Sequence, residues 1–465
     1  MAGLQSSGAR GFRWEVTLLF FGVVFSQTAL SQIEGSAGQT GNKPFSATVA
    51  LREGYDSNPL TMPYTPNTSN GNSGQEPMSS TYTSIQPSLG YNYIGLQADL
   101  ALRYDFTGTY FASINQSYDI QYSHNFIGRY TYAFDPRVQL TVSDNFLYSE
   151  QPLAQLVQVG LAPVTQTQGF INNLGTIQGD YRVTDRLSML TRWNNSILNS
   201  DGPSSYQSSG NGTTSIQSGS AGNSNYMNNG IFQQFRLDFT PETVGTFSVD
   251  YQIYDYQNDQ GFRDNQQVAF SLGADQTFTP TIFFSGRAGI QLNDNYGLAD
   301  NSNVISAGGV GSGELEIQAY PFASLSGTWN YDQRSFASAG FSMQVQQSNF
   351  ATISDSQGYT LNLNWDHCFT DKLSVIQSFY INLATFSPNL TQEQTQNLFN
   401  GAVYQGSGQQ TTVTYNCKFA YAFTPYLSAE LGWAYTSYGS YFDENNGNSG
   451  SYTRNQVYIG LRGTY

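Results

Sequence analysis

Strict alternation of apolar and polar residues constrains this chain more than any other feature, and it continues to the final residue. In Val457-Tyr458-Ile459-Gly460-Leu461-Arg462-Gly463-Thr464-Tyr465, the odd-numbered residues are apolar, small or aromatic, while the even-numbered ones include a charge and a hydroxyl. A period of two puts successive side chains on opposite faces of an extended strand, one greasy and one wet. The pattern recurs upstream. Leu100, Leu102, Tyr104 and Phe106 oppose Arg103 and Asp105, and Phe235, Leu237 and Phe239 oppose Arg236 and Asp238. Phe247, Val249, Tyr251 and Ile253 oppose Asp250, Tyr254 and Tyr256, while Ile282, Phe284, Ala288, Ile290 and Leu292 oppose Arg287 and Gln291. Leu315 and Ile317 oppose Glu314 and Glu316, Tyr415 and Phe419 oppose Asn416 and Lys418, and Leu431 and Trp433 oppose Glu430. Trp193, Trp329, Trp365 and Trp433 all fall on the apolar face. So do His124 and Asp144, which the phasing predicts near the outer ends of their strands.

Composition narrows what such strands can build. Aromatic residues make up 15% of the chain and charged ones only 11%, against about 25% charged in ordinary soluble domains. After residue 31 no window approaches the roughly 18 consecutive apolar residues of a membrane-crossing helix. A chain poor in charge, rich in Tyr and Phe and free of long apolar runs fits an antiparallel barrel whose outside meets lipid and whose inside meets water. Closure leaves no unpaired strand edge in hydrocarbon. The formal net charge of −15 disfavours nucleic acid, which needs clustered Lys and Arg.

The N-terminus reads as a secretory leader over 1–31. Arg10 and Arg13 precede an apolar run from Val16 to Phe25, and Ala29-Leu30-Ser31 supplies small residues at a cleavage site. Residues 32–44 then form a short periplasmic tail, too short for a plug domain, and 45–465 a single barrel. Tight turns recur at Phe134-Asp135-Pro136, Val183-Thr184-Asp185, Phe239-Thr240-Pro241, Phe278-Thr279-Pro280, Tyr320-Pro321, Phe369-Thr370-Asp371 and Phe423-Thr424-Pro425. Pro withholds a ladder hydrogen bond, and Asp and Thr cap corners. The preceding aromatic suits a membrane–water boundary. The opposite connections, such as 56–80, 199–225 and 389–409, are long and rich in Asn, Ser, Gly and Gln. Short turns at one end and long loops at the other predict an up-and-down transmembrane barrel of about 18 strands, with 16 the next choice.

One local run adds a resemblance. The first strand ends in Leu51-Arg52-Glu53-Gly54-Tyr55-Asp56-Ser57-Asn58-Pro59. With the Thr-Pro and Thr-Asp turns, the Gly313-Glu314-Leu315 strand opening and the terminal Tyr465, this run resembles the β-barrel porin 2 family. Some members of that family accompany exopolysaccharide synthesis systems. The resemblance implies an outer-membrane barrel serving as a pore and supplies no catalytic residues.

The alternation predicts that Arg103, Asp105, Arg192, Arg236, Asp238, Asp250, Arg287, Glu314, Glu316, Asp332, Arg334, Asp366, Lys418 and Glu430 project inward. They would line a pore for passive diffusion of small hydrophilic solutes or ions, with inward pairs such as Arg236 and Asp238 neutralising each other. Tyr254, Tyr256, Phe283, Tyr320 and Tyr380 share that face and would suit stacking on saccharide rings. No phosphate loop, metal-ligand cluster or nucleophile elbow is present, which predicts no cofactor, no metal and no enzymatic activity. Cys368 and Cys417, on opposite faces of non-adjacent strands, read as free thiols. Expected partners are outer-membrane lipid, the barrel-assembly machinery and the solutes themselves; oligomeric state is left open. Alternatives are a barrel whose surface loops serve adhesion or scaffolding, or an accessory role in exopolysaccharide export.

Overall fold

The computed structural model describes residues 44–61, 77–114, 119–150, 169–200, 206–208, 214–216, 225–257, 264–294, 317–347, 355–386, 407–442 and 451–465. The expected leader, the segment to residue 43, Glu314 and Glu316 lie outside the described residues. The strands in chain order are β1 (Phe45–Asp56), β2 (Ser80–Ile94), β3 (Ala98–Phe111), β4 (Ile120–Asp135), β5 (Val138–Ser149), β6 (Phe170–Arg182) and β7 (Leu187–Ser200). A small hairpin follows, β8 (Tyr206–Ser208) with β9 (Thr214–Ile216). Then come β10 (Tyr226–Asp238), β11 (Thr243–Tyr256), β12 (Asn265–Thr279), β13 (Ile282–Asp294), β14 (Gln318–Asp332) and β15 (Ser335–Gln347). The last are β16 (Asp355–Cys368), β17 (Leu373–Phe386), β18 (Gly408–Thr424), β19 (Leu427–Phe442) and β20 (Tyr452–Thr464).

All strands except β8 and β9 belong to one 18-stranded antiparallel sheet, in which each pairs with its neighbours in sequence. β1 pairs with β2 on one side and with β20 on the other, so the sheet closes on itself. The predicted 18-stranded barrel is the fold. No helix among the described residues is long and apolar enough to cross a membrane.

The face sorting follows from the ladders. Outward positions carry large apolar side chains that remain exposed, with Leu272 68%, Ile459 65% and Leu51 54% accessible. Trp193, Trp329 and Trp433 are exposed on the same surface, and Trp365 pairs there with Ala337. Exposing apolar area on this scale in water is strongly unfavourable at about 25 cal/mol per Å², so the belt calls for a hydrocarbon surround.

The short turns cap themselves. The Thr184, Thr240 and Thr370 hydroxyls accept hydrogen bonds from the backbone N–H of Leu187, Thr243 and Leu373, each at 3.0 Å. Asp135 Oδ1 accepts from Arg137 N at 2.7 Å and Val138 N at 2.9 Å. The ladder skips one residue beside four of these turns, at Phe134, Phe278, Tyr331 and Phe423. A bulge of this kind re-aims its side chain, and here each bulged residue is an aromatic at the short-turn rim.

One expected turn is not there. Tyr320-Pro321 lies inside β14, with Pro321 opposite Ile290, and the turn comes at Gln333-Arg334. Pro321 interrupts pairing on one side only. The β14–β15 ladder starts at Ala323, while β14 continues to Gln318 against β13. Above that point β15 parts from β14 while staying paired with β16 to Gln347, and the Val345 N–H donates to Gln291 Oε1 of β13 at 3.1 Å. Of the expected strand through Leu315 only Ile317 is among the described residues, immediately before β14.

Candidate functional site

The inner face of the barrel is the candidate site. Among the described residues its polar side chains form charged groups that cross several strands, two of them at the closing seam. The largest lies beside the closing seam. Glu430 on β19 accepts from Arg52 Nη2 on β1 at 2.9 Å and is ion-paired with Arg462 of β20, whose Nε lies 2.7 Å from Glu430 Oε1. Lys418 and Asp366 are buried on the same inner face of β18 and β16. Gly460 makes the Arg52 reach possible, because a Cβ there would sit 2.8 Å from the Arg52 Cγ. The Arg52 guanidinium also lies over the Tyr458 ring, 4.6 Å from its centroid.

At the loop end of the same seam, Asp56 is fully buried and holds Arg454. Its Oδ2 accepts from Arg454 Nη2 at 2.6 Å, Arg454 Nε at 2.9 Å and Gln456 Nε2 at 2.8 Å. Ser57 N donates to Asn455 O at 2.9 Å, and Asn455 N returns a bond to Ser57 Oγ at 2.8 Å. Asn58 N caps Asp56 Oδ1 at 3.0 Å. The Gly-Tyr-Asp-x-Asn run therefore clasps the first strand to the last. Gly54 takes part by leaving room: a Cβ there would meet Val457 O at 2.5 Å and the Tyr82 ring at 2.7 Å.

Another group sits on β10, β12 and β13. Asp275 accepts from Arg287 Nη2 at 3.3 Å, from Arg236 Nη2 at 3.5 Å and from Ser285 Oγ at 2.7 Å. Arg236 thus pairs with Asp275 two strands away, not with Asp238 as expected. A further group is Arg192, Phe232 and Asp250, aligned in one row across β7, β10 and β11. The Arg192 guanidinium lies over the Phe232 ring at 4.8 Å, and Gln252 Nε2 donates to Asp250 Oδ2 at 3.0 Å. A cavity of about 140 Å³ adjoins this row, lined by Gln234, Asp250, Gln267, Arg287, Gln291 and Val345 among others.

The other expected residues separate. Arg103 and Asp105 pair with each other at 2.9 Å on β3. Asp332 lies at the short-turn rim, and Arg334 leaves the inner face altogether, standing in the turn and ion-paired with Asp371 of the neighbouring turn. Its departure follows from the bulge at Tyr331, which ends the alternation before Arg334. Tyr256 is buried with Phe170, Leu198 and Tyr226, and Tyr254 packs on that cluster. Tyr256 is thus closed into the wall at the loop end, while Tyr254 packs on it and also lines the cavity beside Asp250. Tyr320 donates to Gln318 Oε1, and Phe283 and Tyr380 share the inner face by register.

Alternation missed Arg52, Asp56, Asp275, Arg454 and Arg462 as members of these groups. Arg462 and Arg52 were legible as inward by parity; their partner was not. Both histidines face outward. The Tyr104 hydroxyl meets His124 Nδ1 at 2.7 Å near the loop rim, and the Tyr331 hydroxyl meets His367 Nδ1 at 2.9 Å near the turn rim. Asp144 faces outward too, but at the middle of β5 and not at its end. Cys368 and Cys417 are both free.

No protein-family model and no curated protein matches the sequence. Among solved structures, the siderophore receptor PirA from Pseudomonas aeruginosa is 10% identical with a TM-score of 0.39, covering 91% of this chain and 81% of that one. The PirA receptor from Acinetobacter baumannii is 9% identical with a TM-score of 0.42 and the same coverage. The FrpB iron transporter from Neisseria meningitidis is 7% identical with a TM-score of 0.41, covering 90% of this chain and 82% of that one. Siderophores and iron are the ligands of those proteins.

Proposed function

We propose that this chain is a bacterial outer-membrane channel for passive diffusion of small hydrophilic solutes or ions, with no enzymatic role. The reading rests on one observation: a single closed sheet carries an exposed apolar belt outside and charged and amide side chains inside. The first is stable against lipid, and the second gives water and solutes a hydrogen-bonding wall. The resemblance of the first-strand run to the β-barrel porin 2 family belongs to the same proposal.

The wall's charges are largely answered within the wall. Glu430 serves Arg52 and Arg462, Asp275 serves Arg236 and Arg287, Asp56 serves Arg454, and Asp105 serves Arg103. Rings of one sign set ion preference, whereas paired opposite charges leave a weak net field. The channel is therefore expected to discriminate weakly between cations and anions. Recordings in a planar bilayer test this, with folding verified by heat-modifiable migration on a gel. Stepwise conductance with weak ion selectivity is expected. Folded protein that inserts but never conducts would overturn the channel.

A further inference from the structure

One seam of the wall is lapped instead of joined. The β14–β15 ladder ends at Ala323 opposite Met343, yet β14 runs on through 318–322 against β13, and β15 through 344–347 against β16. Among the described residues, no other neighbouring pair has both strands continuing four residues or more past their last shared pair. Continuing the register sets Pro321 opposite Val345, and Pro has no N–H to offer across the gap. The Val345 N–H goes instead to Gln291 Oε1, an inward side chain of β13, whose Nε2 donates to Gln267 Oε1 at 2.7 Å. Val345 faces outward by parity, but it is buried and lines the inner cavity with Phe322 of β14 and Gln344 of β15. The end of β15 therefore lies on the lumen side of β14. Outside the lap the apolar belt continues: Ile290 beside Pro321, Phe270 beyond it and Phe341 on β15 are all exposed.

A closed barrel keeps strand edges out of hydrocarbon. Two edges that overlap at belt level, with a cavity behind them, call for an occupant that suits both surroundings. We propose that the lap is a side portal, through which a single-chain amphiphile with an uncharged, hydroxyl-bearing head passes between the cavity and the bilayer. The head suits the cavity. Gln234, Gln267, Gln291 and Ser271 line it with amides and a hydroxyl, while its charges have partners in the wall, Asp250 on Gln252 and Arg287 on Asp275. Its volume of about 140 Å³ equals roughly four or five waters at ~30 Å³ each. That is room for a glycerol-sized head and too little for a phosphodiester carrying two chains. The chain leaves past Phe322 and Val345, the apolar residues of the two edges, into the belt. Gln291 is the latch, since passage exchanges its bond to Val345 for one to the head. The portal rests on the membrane placement proposed above and not on conductance.

Photo-cross-linking in phosphatidylcholine vesicles with a trace of radiolabelled monoacylglycerol tests it. A benzophenone side chain is placed at Phe322, at Leu272 in the belt, or at Phe336 on the inner face of the intact part of the same ladder. Position 272 should take both lipids in proportion to their abundance, and so reports insertion. Position 322 should be enriched in monoacylglycerol beyond that proportion, and excess unlabelled monoacylglycerol should remove the adduct. Position 336 should take none. Pro321→Val gives back the N–H opposite Val345 and should lower labelling at 322 about fivefold, the worth of one hydrogen bond. Heat-modifiable migration establishes that each variant is folded. Adducts at 272 with none at 322, an unenriched mixture at 322, equal labelling at 336, or labelling indifferent to Pro321→Val would overturn the portal. Absence of adducts at 272 would overturn the membrane placement along with it. Enriched labelling at 322 in a barrel that never conducts would leave the portal standing and overturn only the channel.

Discussion

Replacing Asp56 by Ala should damage the barrel out of proportion to the size of the change. Asp56 is inaccessible to solvent, and Arg454, 4% accessible, spends both its Nε and Nη2 on it. Removing one member of a buried pair leaves a desolvated charge, at a cost of ~3–5 kcal/mol. That is roughly two to three and a half powers of ten in the folded-to-unfolded ratio. The location matters as well, because the β1–β20 ladder runs only from Thr48 to Asp56, so the loop-end closure depends on the clasp. Asp56→Asn keeps an acceptor and should fall between, at about 1.5–3 kcal/mol. Adding Arg454→Met to Asp56→Ala should recover part of the loss, since the stranded guanidinium goes. Urea unfolding in detergent micelles, followed by Trp fluorescence and gel migration, reads all four variants. Asp371→Ala, which breaks the exposed pair with Arg334, is the reference and should change little. If Asp56→Ala is no worse than Asp371→Ala, or if the double variant is worse than the single, the clasp argument is wrong.

Other outcomes follow from the same wall. Glu430→Gln leaves Arg52, Arg462 and Lys418 short of a counter-charge, so it should cost about 1.5–3 kcal/mol in urea unfolding. In the proposed channel it should also move the reversal potential toward chloride preference. Gly54→Ala would push a Cβ into Val457 O and the Tyr82 ring, and should lower stability by ~1–3 kcal/mol on the same assay. Because Tyr256 is closed into the loop-end wall and Tyr254 packs on it, replacing both by Ala should destabilise the barrel without altering any sugar-dependent block of current; a lost block at unchanged stability would restore them as a binding platform.

The alternation around Leu100–Phe106, Phe235–Phe239 and Leu427–Tyr435 was enough to assign faces, because facing in a strand is a local property with a period of two. The outward Trp residues and the Thr- and Asp-capped turns were legible for the same reason: each depends on neighbours within a few positions. Pro321 shows where local reasoning stops. A proline ends pairing, but whether it ends the strand or only one of its two ladders depends on the neighbour across the sheet.

Partners across strands were decided only by the closed structure. Parity put Arg236 and Asp238 on one face, yet Asp275, distant in sequence, took the guanidinium. Asp56 and Arg454 stand nearly at opposite ends of the chain and meet because the sheet closes. The order of residues alone determined which side of the wall each side chain occupies. The stagger at which the strands join around the cylinder determined what each one touches, since register is a property of the whole ring and not of any single strand.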